Sequence, residues 1–298
     1  MKEINTSNTD FAEIAPGVNE VRRFIRVFFG RKVVIIGSVI IILLVIAAIF
    51  APFLAPYDPY QVDMNASLLN STPTHLLGTD SIGRDTLSRL IYGSRTSLLV
   101  GIISVSIAGI LGTSLGLIAG YFGGITYAII MRGMDTLMSL PVILLAIVIT
   151  AALGGGVYNL MIALGISISP IYARVMCAEC LSIKQNEYIL SARAIGVRPL
   201  RIMLRHILPN GFAALLVIMT MQLGFAILSE SSLSFLGLGV TPPQAAWGAM
   251  VSAGYPYIKS KPLLSFAPGV AIILVVFAFN MIGDGLRDTL DPRLRGTL

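Results

Sequence analysis

The chain has 298 residues, 55% hydrophobic and only 12% charged, with a formal net charge of +6 and a mean hydropathy of +0.84. An ordinary soluble domain carries about 25% charged residues, so the composition excludes a soluble globular protein and implies a chain that crosses a membrane several times. The basic residues are divided among short segments with no single patch, which makes the positive charge a topology signal and excludes nucleic acid as a partner.

In chain order, residues 1–32 form a polar, basic N-terminal segment and 33–53 a first membrane anchor. A signal-peptide core runs to only ~7–15 residues, so this longer run is expected to stay in the membrane. Crossing ~30 Å of hydrocarbon takes roughly 20 helical residues. Six uncharged stretches meet or approach that length: Val33 to Phe53, Ser97 to Ala119, Thr136 to Leu153, Tyr158 to Ala173, Phe212 to Ser229 and Leu263 to Gly283. They are continuously apolar rather than alternating, which predicts helices and not a barrel. Two boundaries are drawn at glycines, "GYFGG" at 120–124 and "GGG" at 154–156, because the uncharged runs they interrupt are too long for one span each. The expected plan is all-α and polytopic with six transmembrane helices. It comprises an external loop at 54–96, a five-helix core at 97–288 with a cytoplasmic loop at 185–210, and a tail at 289–298.

Lys and Arg favour the cytoplasmic side of short loops. With the N-terminus inside, only Arg84, Arg89, Arg95, Lys259 and Lys261 of the 21 basic residues fall outside, so both termini are expected in the cytoplasm.

Within the spans, Ala108, Gly112, Gly116 and Gly120 recur every four residues in the second. That stripe admits a close helix neighbour, expected within the chain rather than on another subunit. Arg132 and Asp135 stand three apart at the inner end of the third span and are expected to pair on one helix face. Pro141 and Pro170 are expected to kink the third and fourth spans. Glu230 lies at the outer end of the fifth, near Ser231 and Ser234 and with no cation nearby in sequence. An ionisable group at depth is a functional candidate by default. These three residues read either as part of an external gate or amine-binding path, or as a solvated patch at the interface. Trp247, the sole tryptophan, reads as an interfacial anchor. Cys177 and Cys180 form a lone "CAEC", too little for a zinc or redox centre, and read as small apolar helix residues. His75 and His206 fall on opposite sides of the membrane and cannot share a metal, so no cofactor or metal site is expected.

The cytoplasmic loop carries the unusual stretch "EYILSARAIGVRPLRIMLRHILPN" at 187–210. Tyr188, Ile189, Ala192 and Ile195 have helical spacing, Glu187 suits the positive end of the helix dipole, and Gly196 suits a left-handed cap. Pro199 can open a second helix, with Arg198, Arg201 and Arg205 on one face, Leu200, Met203, Leu204 and Ile207 on the other, and Pro209 with Asn210 closing it. That second helix could be a connector on acidic lipid. The first presents Ala192, Ala194 and Gly196, a small surface suited to contact with another protein.

This string resembles the EAA loop of ABC-importer membrane subunits: it keeps Ala192, Gly196, Leu208 and Pro209, with Leu190 and Ser191 where the general motif has Glu-Ala. It is nearer still to the peptide branch, and "LGTDSIGRDTLSRLIYGSRTSL" (77–98), "RGMDTLMSLPVILLAI" (132–147), "LSESSLSFLGLGVTPPQAAWGAM" (228–250) and "GDGLRDTLDPRLR" (283–295) also look like the C-type permease subunit of dipeptide, oligopeptide and nickel importers. The resemblance covers residue 20 onward. It implies a type I ABC importer permease fold in a bacterial cytoplasmic membrane, paired with a second permease, with two ATP-binding cassette ATPases below and a binding protein outside that delivers substrate. It also implies that Glu187, Ala192, Arg193 and Gly196 form a coupling helix seated on an ATPase. The chain itself has no G-x-x-x-x-G-K-[ST], the loop that cradles nucleotide phosphates, so it is not expected to be an enzyme. The span centres lack the acidic or histidine relays of a proton-coupled carrier, and two histidines on opposite faces build no membrane hydrolase. A channel would have no need of the coupling-like helix.

Overall fold

Apolar segments in lipid can satisfy their backbone polar groups only internally, and the chain responds by being helical nearly throughout. The computed structural model describes residues 20–290. Lys2, Arg293, Arg295 and the side chains of Arg22 and Arg23, all used in the charge argument, lie outside the described residues or side chains, as does most of each terminal segment. The helices are α1 (Glu20–Phe29), α2 (Lys32–Ile49), α3 (Ala51–Leu54), α4 (Thr86–Phe122), α5 (Gly124–Met138), α6 (Val142–Leu153), α7 (Val157–Ile183), α8 (Glu187–Ala194), α9 (Pro199–Ile202), α10 (Leu208–Phe235), α11 (Trp247–Gly254) and α12 (Leu263–Leu290).

Among the described residues, five continuous helical stretches are long and apolar enough to cross a membrane, and a sixth span is counted if the pair α5 and α6 is taken as one. That pair departs from the expected third span at Thr136 to Leu153. Thr136 belongs to the end of α5, and α6 sets off after Pro141 at 93° to it. A proline has no N–H and its ring clashes with the preceding turn, so the break falls where Pro141 stands. The expected kink at this position is thus a full turn in the chain. At 1.5 Å per residue, the 12 residues of α6 reach only about 18 Å, short of a ~30 Å core. Pro170, in contrast, lies within the unbroken α7.

α4 runs for 37 residues, about 55 Å, and so projects beyond the bilayer. Its first three turns, expected as external loop up to residue 96, are helical. Asp85 caps them, its carboxylate accepting from the Ser88 amide and hydroxyl at 2.8 Å each and meeting His75 Nδ1 at 2.9 Å. The segment before α4 and the segment after α10 close over this projection. The Arg89 guanidinium donates to the Pro59 carbonyl at 3.0 Å, and the Trp247 indole donates to the Leu90 carbonyl at 2.9 Å. Trp247 is buried against Gly93, so it is a core residue of the cap over α4 and not the interfacial anchor expected from its type.

The main core lies where α4 meets α7. Gly112 faces the Ser169 carbonyl and the Tyr172 Cβ, Gly116 the Ala173 carbonyl, and Gly120 the Cys177 carbonyl and Cys180. Ala108, first of the stripe, is fully buried in the same core with Leu164, Ile168 and Tyr172. α10 packs on α12, α4 and α7, and α12 on α2.

A Cβ added at Gly116 would stand 2.2 Å from the Ala173 carbonyl oxygen, whereas one at Gly133 on α5 meets nothing within 4 Å. Overpacking ordinarily costs about 1–3 kcal/mol, and here the obstacle is backbone. G116L is expected to abolish recovery of monodisperse protein in detergent or lower its Tm sharply. G133A should leave both unchanged.

Candidate coupling site

The stretch 187–210 is built between two long helices. α7 ends at Ile183, and Lys184, its C-cap, sends its ammonium to the Gly120 and Tyr121 carbonyls at 3.2 and 3.1 Å. These are carbonyls of the last turn of α4, where a cation is favoured. α8 then starts after Asn186, whose carbonyl accepts from the Ile189 and Leu190 amides at 3.0 and 3.2 Å, with Glu187 in its first turn. The helix closes at Gly196, whose φ is +78°. Its amide donates to the Arg193 carbonyl, and the Val197 amide to the Ala192 carbonyl, both at 3.0 Å. This paired closure satisfies the helix's orphan carbonyls and requires a left-handed residue.

α9 follows, with Pro199 at its first position. Contrary to expectation, Pro209 and Asn210 do not end it. The backbone passes through a π-helical turn at Met203–Ile207 into α10, giving one helical stretch from Pro199 to Phe235. Widening the helix to i→i+5 bonding, with the Leu208 amide on the Met203 carbonyl, accommodates a proline that lacks the next donor. The Asn210 amide group bridges the His206 carbonyl at 2.6 Å and the Tyr188 hydroxyl at 3.3 Å, tying α8 to the root of α10. The expected apolar face also divides. Met203 and Ile207 are buried with Ile202, while Leu200 and Leu204 stand exposed beside the arginines.

α8 therefore has two unlike sides. Ile189 is fully buried and Ala192 packs against the core. Glu187, Leu190 and Gly196 are exposed, and Ile195 is 82% exposed. Ile195, Gly196, Val197, Leu200 and Leu204, with Arg198, Arg201 and Arg205, line a concavity of about 730 Å³. Of the four residues expected on the docking surface, Glu187 and Gly196 are exposed while Ala192 packs inward, and Arg193 also turns inward. It is half-buried, its guanidinium carbon lies 4.8 Å from the centre of the Tyr121 ring, and its Nε is buried without a hydrogen-bond partner.

At the opposite end of the bundle, Glu230 is fully buried. Its carboxylate accepts from the Ser234 hydroxyl at 2.8 Å and from Ser97 and Ser231 at 3.3 Å each, and Ser234 in turn accepts from the Val240 amide at 3.0 Å. Glu230, Ser231 and Ser234 come together as expected from their spacing, but they are neither a solvated patch nor open to a passing solute. They join α10 to α4 and to the loop after α10. Ser97, 133 positions away, carries no sequence signal that would have grouped it with them. Nor is Asp135 paired with Arg132: its carboxylate accepts from Arg174 of α7 at 2.6 Å, a cross-helix pair invisible to an i,i+3 argument. Among the described residues no three His, Cys, Asp or Glu side chains gather as a metal site would need.

Sequence reasoning missed a groove of about 450 Å³ between α4 and α10, lined by Ser106, Gly109, Thr113 and Ser114 on one side and Phe212, Leu215 and Met219 on the other. Unlike Ser167, Thr220 and Ser232, which bond to the carbonyl four residues back, these three α4 hydroxyls are free to meet something in the groove. The only signal was their clustering at 106, 113 and 114 in an otherwise apolar run.

The arrangement can be set beside known proteins. Residues 112–296 match the family model described as "Binding-protein-dependent transport system inner membrane component", and residues 21–73 match "N-terminal TM domain of oligopeptide transport permease C". The chain is 42% identical over 276 residues to the glutathione transport system permease protein GsiD of Pectobacterium atrosepticum, covering 92% of this chain and 91% of that one. It is 43% identical over 265 residues to the dipeptide transport system permease protein DppC of Alkalihalophilus pseudofirmus, covering 89% and 87%. With the probable D,D-dipeptide transport system permease protein DdpC of Escherichia coli it shares 40% over 267 residues, 90% of each chain. Its fold resembles a chain of the inward-facing MetNI methionine ABC transporter, with a TM-score of 0.56 and 20% identity, covering 69% of this chain and 98% of that chain. All-helical, multi-pass and matched over more than half its length, the chain belongs to the inner-membrane permease family of binding-protein-dependent ABC importers.

Proposed function

We propose that this permease moves small peptides inward and is driven from below by a separate ATPase seated on α8. The observation that carries the reading is α8 itself. It is an eight-residue helix with Glu187 in its first turn and a left-handed closure at Gly196, buried on one side, exposed on the other and attached to two membrane-crossing helices. Such an element can transmit a rigid-body push. The exposed apolar residues Leu190, Ile195, Leu200 and Leu204 beside Arg198, Arg201 and Arg205 suit a partner groove that is apolar within and acidic at its rim. This orientation places both termini in the cytoplasm and the cap around Trp247 outside, where a substrate-binding protein docks.

A second permease completes the path. The free hydroxyls of Ser106, Thr113 and Ser114 gain nothing from lipid, but they can serve a wet passage shared between two chains. Hydroxyls among apolar walls can pass backbone amides along without reading side chains. That character, together with relatives named for dipeptide and D,D-dipeptide transport, favours dipeptides as cargo, with glutathione, the cargo named for another relative, as the alternative.

Three outcomes follow. G196V places a β-branched residue at a φ of +78°, a conformation costing such residues roughly 1–2 kcal/mol, and it should abolish uptake while the partner ATPase still binds nucleotide. A channel or secondary carrier would still transport. In a background with Cys177 and Cys180 replaced by serine, cysteines at 106, 113 and 114 should react with a membrane-impermeant thiol reagent in the assembled transporter, and cysteine at lipid-facing Ile273 should not. Reconstituted complex should accumulate labelled dipeptide in competition with unlabelled dipeptide. Accumulation of glutathione or a nickel chelate instead would reassign the cargo.

A further inference from the structure

α8 is joined by covalent chain to α7 and, through α9, to α10. A third attachment, to α4, has no such link and runs through side chains. The Arg193 guanidinium stacks over the Tyr121 ring at 4.8 Å. Lys184, three residues before α8, holds the Gly120 and Tyr121 carbonyls. The Cys180 thiol reaches the Leu117 carbonyl at 3.8 Å, and Gly120 has no room for a Cβ beside Cys180. Tyr121 packs against the same core as Ile189 and Ala192 of α8. One residue past α4, Gly123 turns the chain at a φ of +67° into α5, so whatever moves Tyr121 also moves the start of the broken third span.

We propose that Arg193 is a positioning residue acting within the permease, and that its contact with Tyr121 carries displacement of α8 into α4. The proposal rests on the reading that an ATPase docks on α8, but it assigns Arg193 to the inner side of that helix rather than to the docking surface. Two features argue for a specific link over incidental packing. A planar guanidinium over an aromatic face is a directional attraction, worth more when shielded from water. The buried Nε makes no hydrogen bond that would position the side chain, and the Tyr121 ring lies 4.8 Å from the guanidinium carbon. The consequence is mechanical: α4, which bears the groove hydroxyls and the Ser97 contact to Glu230, receives the displacement of α8 at its own end beside Tyr121, in addition to what reaches it through α7 and the glycine seam.

The test compares Tyr121→Ala, Tyr121→Phe, Arg193→Met and the double variant in the complete complex, reconstituted in liposomes. Assembly with the ATPase, ATP hydrolysis and solute uptake are measured on each. For Y121A, assembly and hydrolysis should stay within twofold of wild type while uptake per ATP falls at least tenfold. Y121F, which keeps the aromatic face, should restore uptake to within twofold. R193M should lose uptake per ATP to the same extent as Y121A, and the double variant should be no worse than either single change, as expected for one shared contact. The proposal is overturned if Y121A transports normally, if Y121F fails like Y121A, if the losses multiply in the double variant, or if R193M releases the ATPase, which would put Arg193 in the docking surface. Failure of the wild-type chain to recruit any ATPase would instead remove the reading beneath it.

Discussion

α4 and α7 meet nearly backbone to backbone along Gly112, Gly116 and Gly120, with the carbonyls of Ser169, Ala173 and Cys177 and the side chain of Cys180 against them. In lipid there is little hydrophobic drive for helices to associate, so close packing must supply the cohesion. Glycine at these three turns allows it. The same seam sets the positions of both functional ends. Inward, it brings the last turn of α4 beside Lys184 and Arg193. Outward, it leaves the first turns of α4 projecting, to be wrapped by the cap around Trp247 and tied by Ser97 to Glu230. A side chain in the seam would therefore disturb coupling and cap together.

From that seam the bundle reads as a rigid pair with attachments. α10 crosses both members of the pair and continues, through a π-helical turn, into the basic helix that follows α8. π turns are rare and concentrate at functional sites. Here the turn lets α9 and α10 share one helical rod, with the Asn210 side chain holding the Tyr188 hydroxyl of α8 at its root. Motion imposed on α8 would thus have three exits, along α7, along α10 and across Tyr121 to α4. The buried carboxylate of Glu230, held by three serine hydroxyls, reconnects α10 and α4 at the opposite end of the bundle.

Much of this was legible in the residues. The absence of charge over long runs identified the membrane class, the four-residue spacing of small residues located the seam, and the glycine after Ile195 marked the helix closure. What escaped notice depends on groups distant in sequence. Arg174 took Asp135 from its nearer neighbour Arg132, because a cross-helix partner in α7 lies within reach of its carboxylate. Trp247 looked like an anchor by type, and only folding placed Leu90 and Gly93 against it. Pro209 signalled an end because an α-helix cannot pass a proline without losing a hydrogen bond, and a local change to π geometry is not encoded in any simple periodicity. Arg193 sits in a motif associated with docking, yet the turn it occupies on α8 points it toward Tyr121.

The central claim is that force enters the bundle at α8. Amide hydrogen exchange in the purified permease, alone and then in complex with its ATPase subunits, tests this directly. The account predicts that residues 187–197 gain protection on assembly while the external segment 54–85 is unchanged. Unaltered exchange at 187–197 alongside new protection elsewhere on the cytoplasmic side would contradict it.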